Sequence, residues 1–546
     1  MPSDPTSFPY DTVVYITDFI GGIEYQGSGV LIAPNIVLTA AHVVWQQGVG
    51  SATGIEVSPG YNNGTAPYGT VAGVYILYNQ VNDAADLLTT QQSQYDYAVI
   101  KLAQSFDLGT MGLLAGYQYG NVYVTGYPAV AGGVQITQPE FVSQPPGYTV
   151  YYGTALGPGS SGGPVWIEGR GGPDVVGLVS AGLGASGTFA QISSTAYGTI
   201  ENWVAQAEAA CFAAGTRIAT TRGDIPVEHL HVGDVVRTRF AGAAPVVWLG
   251  HRQIDCRRHP RPDRVWPVRV ARDAFGPGAP ARDLWLSPDH AVFVAGHLVP
   301  VRHLLNGATV AQVPAPRVTY WHVELAHHDV LFAEGLPAES YLDTGNRAAF
   351  DNGGPCVTLH PDFAERRWRQ AACATLLRDG ARLTALRRRL HARLRALGHV
   401  TTAAPALKVL AATTDLSTTV TAGCWQVRVP HGCAALRLTS RTWVPAQMQP
   451  DSHDTRRLGV AIGRLWLDGR EIGLDSAKLA CGWHAAERHW RWTDGDALLP
   501  LDGARRVAFT LAMTGRYWDD AAADTPCRPQ PPPANAYASA DGSRPW

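Results

Sequence analysis

Three side chains suited to nucleophilic catalysis occur in order within the first third of the chain. They are His42 in LTAAHVV, Asp96 in YDYAVIKL and Ser161 in GPGSSGGPV. A serine hydroxyl is a weak nucleophile near neutral pH and needs an adjacent base. An imidazole can take its proton and hand it on to a departing amine. A buried carboxylate fixes the imidazole tautomer and stabilises the imidazolium that forms. The glycines around Ser161 permit a tight turn that aims backbone N–H groups at a developing oxyanion, and the amides of Gly159 and Ser161 are the expected donors. Each motif alone has a plainer reading: a Gly/Ser-rich loop, a packed histidine, an aspartate capping a turn. It is their conjunction that points to chemistry.

These residues resemble the chymotrypsin-like (trypsin-like) serine protease family. TAAH, D-x-A-V-I-K-L and G-x-S-G-G-P carry the resemblance, with GSGVLI before the histidine and VTGYP before the serine, over about residues 10–205. The order His–Asp–Ser is also that of this family and not that of subtilisins or α/β-hydrolases. The resemblance implies two β-barrels with the triad between them and a polypeptide substrate. By the family pattern Thr154, Ala155, Leu156, Val179, Ser180, Ala181 and Gly182 line the specificity pocket. None is charged, so a small or apolar substrate residue is expected rather than Lys or Arg.

A second group begins at Cys211. The stretches CFAAGTRIATTRGDIPVEHLHVGDVV, DLWLSPDHAVFV and VTYWHVELAHHDVLFAEGLPAESYLDTGNRAAF resemble the Hint domains shared by inteins and Hedgehog proteins, over about residues 211–350. The resemblance implies attack of the Cys211 thiol on the carbonyl of Ala210, converting the Ala210–Cys211 amide to a thioester. His290 is then the group near the amide nitrogen, with Ser287 where the family usually has threonine. His328 resembles a later intein histidine at an offset spacing. Inteins end in His-Asn, whereas this chain has Glu339-Ser340 after FAEGLPA, so cleavage without splicing is expected. The second nucleophile, be it water, an amine or a lipid, is left open. The alternative is an inert protease-fold binding module ligated to a surface or partner by the Hint domain.

The elements that must position these groups follow from patterning. Short alternating or apolar runs between turn signals, such as TVVYITDF, IVLTAA, YAVIKL and NVYVTGYP, predict a mainly β protein. A helix is expected around GTIENWVAQAEAA. The expected order is a double β-barrel over 1–210, an all-β Hint domain over 211–350, a helical linker over 351–400 broken near Gly380, a β-sandwich over 401–525 and a disordered tail over 526–546. The arginine-rich helices are read as a solvated linker rather than a surface for acidic partners.

Charge divides the chain as well. Residues 1–210 hold two basic side chains, Lys101 and Arg170, against fourteen acidic ones, and the remainder is net basic. The acidic half argues against nucleic-acid binding. No apolar run reaches the roughly 18 residues of a membrane span. All eight cysteines lie at or after position 211 without a CxxC pair, so no metal site and no cofactor is expected; Cys424 and Cys433 are left as a possible pair. No basic residue precedes the first apolar stretch, so a standard secretory signal is not expected; secretion or surface display by another route is expected, with a cytoplasmic location left open.

Overall fold

The computed structural model describes residues 4–81, 88–154, 156–169, 172–183, 186–207, 210–257, 262–344, 346–347, 350–353 and 363–519; the expected tail lies outside them. The first strand, Val13–Ile20, alternates buried and part-exposed residues as its sequence alternates. It turns through Gly21 and Gly22, whose φ values of +61° and +84° suit a two-residue hairpin that other residues adopt only under strain. The partner strand Ile23–Ala33 continues through Ile36–Thr39, Ala98–Leu102, Val71–Tyr78 and Thr53–Pro59, which pairs back on the first strand and closes a six-stranded barrel. A second ring runs Tyr119–Gly126, Ile136–Ser143, Val150–Thr154, Ser186–Gln191, Gly172–Leu183 and Pro164–Gly169, closed by pairing of the last with the first.

Each barrel has its own apolar interior, and a third cluster lies between them. Val30, Leu38 and Val99 of the first barrel meet Tyr127, Trp166 and Leu178 of the second. The helix Ser194–Ala207 falls where the sequence predicts it. Its Ala196, Ile200 and Trp203 cover this shared core, with Trp203 against Tyr97 at 5.6 Å between ring centroids. This is the double barrel implied by the first resemblance.

From Phe212 the chain forms a thirteen-stranded sheet folded around one core that includes Phe212, Leu286, Val292, Val323 and Leu331. Two helices follow, Phe363–Ala371 and Gly380–Ala396, separated near Gly380 as expected. The second is not a solvated linker. Leu383, Leu386 and Leu390, spaced along one helical face, are buried in the same core as Phe212. On the other face Arg388 pairs with Asp451 at 2.6 Å, and Arg387 donates to the backbone carbonyl of Ser452. The helix therefore joins the second unit to the third. That third unit packs a four-stranded sheet on a seven-stranded one over Val409, Leu438, Val460 and Phe509, the expected sandwich. Cys424 and Cys433 are both free thiols there.

Asp18 is an exception to the packing rules of the first barrel. It is buried at a bulge between Thr17 and Phe19, and neither carboxyl oxygen has a hydrogen-bond partner. Burial pushes its pKa up to about 7. The folded state therefore holds a proton that the unfolded chain releases, and stability is lost as pH rises from 3.8 through about 7. Asp18→Asn is expected to stabilise the fold at pH 8 by an amount on the order of 2–4 kcal/mol, and to change its stability little at pH 4. Calorimetry at the two pH values checks this; an equal effect at both contradicts it.

Candidate active sites

Strand register brings His42 to Asp96. Ile36–Thr39 pairs antiparallel with Ala98–Leu102, with Thr39 opposite Ala98. The chain leaves one strand towards His42, on the single turn Ala41–Val44, at the end where it arrives from Asp96 on the other. Asp96 Oδ2 lies 2.7 Å from His42 Nδ1, and Oδ1 accepts the His42 backbone N–H at 3.0 Å. Nδ1–H thus donates to the carboxylate, which leaves Nε2 as the basic nitrogen. Asp96 is fully buried, while the imidazole is 21% exposed. A further donor is Ser180, whose hydroxyl reaches Asp96 Oδ2 at 2.6 Å. Burial works against the Asp96 charge, but His42 and the Ser180 hydrogen bond outweigh it and hold the carboxyl below its ordinary range.

Ser161 stands in the loop between Val150–Thr154 and Pro164–Gly169, and that loop is tied to the first-barrel strand Ile23–Ala33. The Ser28 backbone N–H donates to the Ser161 carbonyl at 2.8 Å, and the Ser28 hydroxyl donates to the Gly159 carbonyl at 2.8 Å. The same hydroxyl accepts the Tyr127 N–H at 2.9 Å, so one buried serine links both barrels to the loop. Gly162 is wedged against Thr39 and Ala40, just ahead of His42, at φ +79°. Gly159, at φ +89°, turns its peptide; among the described residues neither its N–H nor that of Ser161 donates to a protein acceptor. Two such amides flanking a serine can receive an oxyanion.

The expected specificity residues divide. Ser180 faces Asp96 and serves the carboxylate rather than a pocket wall. Val179 is buried in the interior of the second barrel, and Leu156 packs on its edge. Gly182 pairs with Gly187 in the strand pair beyond them. Ala155 lies outside the described residues. Ser28 and the role of Ser180 are absent from the sequence reading, although the GSGVLI motif contains the former.

Register also builds the second site. The two-residue strand Phe212–Ala213 lies between Leu284–Leu286 and Arg317–Leu325, with Phe212 opposite Leu286 and Trp321. Cys211 is thereby flanked by Ser287 on one side and His322 on the other. The Cys211 N–H, the nitrogen of the Ala210–Cys211 peptide, donates to Ser287 Oγ at 2.8 Å, and the Ser287 N–H donates to the Cys211 carbonyl at 2.9 Å. His290 is buried with its ring 4.2 Å from that of Phe212 and 5.1 Å from that of His322. Among the described residues neither His290 nitrogen has a partner of good hydrogen-bond geometry, although the backbones of Glu339 and Cys211 lie close enough to favour its charged form. Burial pushes its pKa down to about 3, so it is neutral at rest. Burial pushes the Cys211 thiol up to about 11, against the charge and hydrogen bond of Arg252.

His328 does not join this cluster. Its Nδ1 accepts the Cys373 N–H at 3.1 Å, and its Nε2 lies 3.9 Å from Glu339 Oε2. His322 and Arg252 are the members that the sequence reading lacks. The alternation Val318, Tyr320, His322 along VTYWHVEL marks His322 as inward-facing. Among the described residues no cluster of three or more His, Cys, Asp or Glu side chains is placed to hold a metal ion, and no helix is long and apolar enough to cross a membrane.

Comparison with known proteins places two families on this chain. Residues 27–178 match the family model described as a trypsin-like peptidase domain, and residues 210–345 match that described as a Hint domain. A glutamyl endopeptidase of Bacillus licheniformis is 26% identical over 219 residues, covering 37% of this chain. An extracellular metalloprotease of Bacillus subtilis is 35% identical over 102 residues, covering 18% of this chain. The chain spans 65% and 31% of the lengths of these two relatives. Among solved structures, a Glu endopeptidase aligns at 24% identity and TM-score 0.32, over 37% of this chain and 95% of its own. The protease Anisep of Arthrobacter nicotinovorans aligns at 20% and 0.31, over 37% and 97%.

The wedge at Gly162 gives a direct test of the loop's seating. A methyl group there would overlap Thr39 Oγ1 and the Ser28 carbonyl and lie 2.7 Å from the Ala40 nitrogen. Gly162→Ala is therefore expected to destabilise the double barrel by roughly 3 kcal/mol or more. Denaturant unfolding reads this, and a change below about 1 kcal/mol contradicts the placement.

Proposed function

We propose that this chain, which carries a trypsin-like serine protease domain followed by a Hint domain, is a serine endopeptidase released from its own downstream half by self-cleavage at Ala210–Cys211. The observation that carries the first part is the buried Asp96 carboxylate bonded to His42 Nδ1 at 2.7 Å, beside the anchored Ser161 loop. In this reading Asp96 and Ser180 hold His42 in the tautomer whose Nε2 accepts the Ser161 proton. Ser161 Oγ attacks the substrate carbonyl, and the N–H groups of Gly159 and Ser161 receive the oxyanion. His42 then returns the proton to the leaving amine.

The uncharged residues of the expected pocket support a small or apolar residue before the cleaved bond. The B. licheniformis relative is named for glutamyl bonds, which would require a cation or several donors in the pocket. The histidine of the first 210 residues is His42, engaged with Asp96, and Lys101 is buried. Arg170 lies outside the described residues. Export is proposed in keeping with the extracellular relative.

For self-cleavage, Cys211 Sγ attacks the Ala210 carbonyl while Ser287 holds the amide nitrogen and His290 stands beside it. The peptide C–N bond breaks as the C–S bond forms, and the nitrogen gains the proton that the thiol loses. Arg252 favours the thiolate that must form transiently. With Glu339-Ser340 in the place of His-Asn, no asparagine cyclises, so cleavage proceeds without splicing.

A fluorophosphonate probe is expected to label the full chain and not Ser161→Ala, and Asp96→Asn to lower kcat/KM by about 10⁴-fold. Ser161→Ala should still yield a fragment ending at Ala210, whereas Cys211→Ala stays intact. An unlabelled wild-type chain would leave the inert binding module as the reading; an intact one rejects self-cleavage.

A further inference from the structure

The self-cleavage reading leaves open what resolves the thioester, and this inference rests on that reading. A cavity of about 80 Å3 is lined by Ala210, Asp289, His322, Glu339, Tyr341 and Arg378 among others. A water molecule occupies about 30 Å3 in the liquid, so two or three fit. Pockets for drug-sized ligands run to roughly 300–1,000 Å3, so a space of this size suits a small nucleophile such as water. The wall is mostly polar, as a hydrated site requires.

Asp289, His322 and Glu339 in this wall could accept a proton from such a water, and Asp289 is held in an ion pair with Arg302 at 2.7 Å, while Glu339 is the buried carboxyl among them. It is buried at the end of the strand Leu336–Glu339, and its Oε1 accepts the Ala291 N–H at 2.7 Å, which fixes the carboxyl plane. Its Oε2 faces His328 Nε2 at 3.9 Å. Because His328 Nδ1 accepts the Cys373 N–H, the proton of the neutral imidazole sits on Nε2 and aims its N–H dipole at the Glu339 carboxyl. We propose that Glu339 is the general base for hydrolysis of the Ala210–Cys211 thioester, with His328 as its positioning residue and water as the second nucleophile. The carboxylate takes a proton from water as the oxygen bonds to the Ala210 carbonyl carbon. The tetrahedral intermediate collapses with loss of the C–S bond, and the Cys211 thiolate recovers the proton from Glu339. The products are an Ala210 carboxylic acid and a chain beginning with free Cys211.

Burial pushes the Glu339 pKa up to about 8, with Asp289 adding to the rise and the Ala291 N–H and Arg378 opposing it. His328 from the neighbouring turn, and Arg302, His322 and Tyr341 around the cavity, are the other titratable or charged groups that face it. Hydrolysis by a base of this kind rises with pH through about 8.

The test uses the full chain in the Ser161→Ala background, so that the protease cannot act on itself. In ¹⁸O-water the fragment ending at Ala210 is expected to carry one ¹⁸O and no other added mass. Glu339→Gln should slow spontaneous cleavage at pH 8 by about a hundredfold and lose the rise with pH, with hydroxylamine restoring cleavage at the same bond. Glu339→Asp, which keeps a carboxylate, should retain the rise. Added mass on the fragment overturns water as nucleophile. Spontaneous cleavage of Glu339→Gln at the wild-type rate, or loss of hydroxylamine-driven cleavage in both variants, overturns the role of Glu339. A parent chain that stays intact even in hydroxylamine overturns the thioester reading beneath it, and this inference with it.

Discussion

Antiparallel pairing fixes, to the residue, which side chain lies opposite which, and both candidate sites hang on that constraint. A slip of one residue in a strand pair turns every side chain to the other face. Thr39 opposite Ala98 delivers His42 to Asp96. Phe212 opposite both Leu286 and Trp321 delivers Cys211 to Ser287 and His322. Neither pairing survives unless its strands bury a continuous core, which is why the apolar clusters and the reactive groups form a single problem. Ser28 shows the coupling at its tightest: one hydroxyl and one backbone N–H bind the second barrel, the first barrel and the Ser161 loop together.

The two sites differ in how they treat charge. The first keeps an ionised carboxylate beneath a part-exposed imidazole, an arrangement suited to repeated turnover on substrates that enter from solvent. The second is dry. Its thiol is pushed up to about 11, one imidazole down to about 3 and its carboxyl up to about 8, so these groups rest uncharged near neutral pH. Arg252 beside Cys211 opposes the thiol's shift. Under the proposed self-cleavage, such a site would serve a single event within its own chain, with the attacking thiol already next to its carbonyl. The acidic first 210 residues and the basic remainder meet at the Ala210–Cys211 bond.

Much of this was legible in the sequence because the motifs are local. TAAH, D-x-A-V-I-K-L and G-x-S-G-G-P mark the residues, and alternation marks the strands that carry them. What stayed hidden depends on pairing between distant segments. Ser180 reads as a pocket residue until its strand is seen to bring the hydroxyl onto Asp96. Arg252 reads as one more arginine until the strand Ala243–Asp255 pairs with Arg317–Leu325, setting it opposite Tyr320. The leucine stripe of Gly380–Ala396 is visible in the sequence, but the core that receives it is not. His328 was assigned by likeness to the cleavage centre, and the turn that carries it instead points its ring at Glu339.

The most direct measurement is a crystal structure of the uncleaved Cys211→Ala chain with a phosphonate inhibitor on Ser161. The account predicts the phosphoryl oxygen within hydrogen-bond distance of the Gly159 and Ser161 nitrogens, His42 Nδ1 against Asp96, and the residue 211 nitrogen on Ser287 Oγ. A phosphoryl oxygen turned away from those amides, or a residue 211 nitrogen out of reach of Ser287, would contradict it.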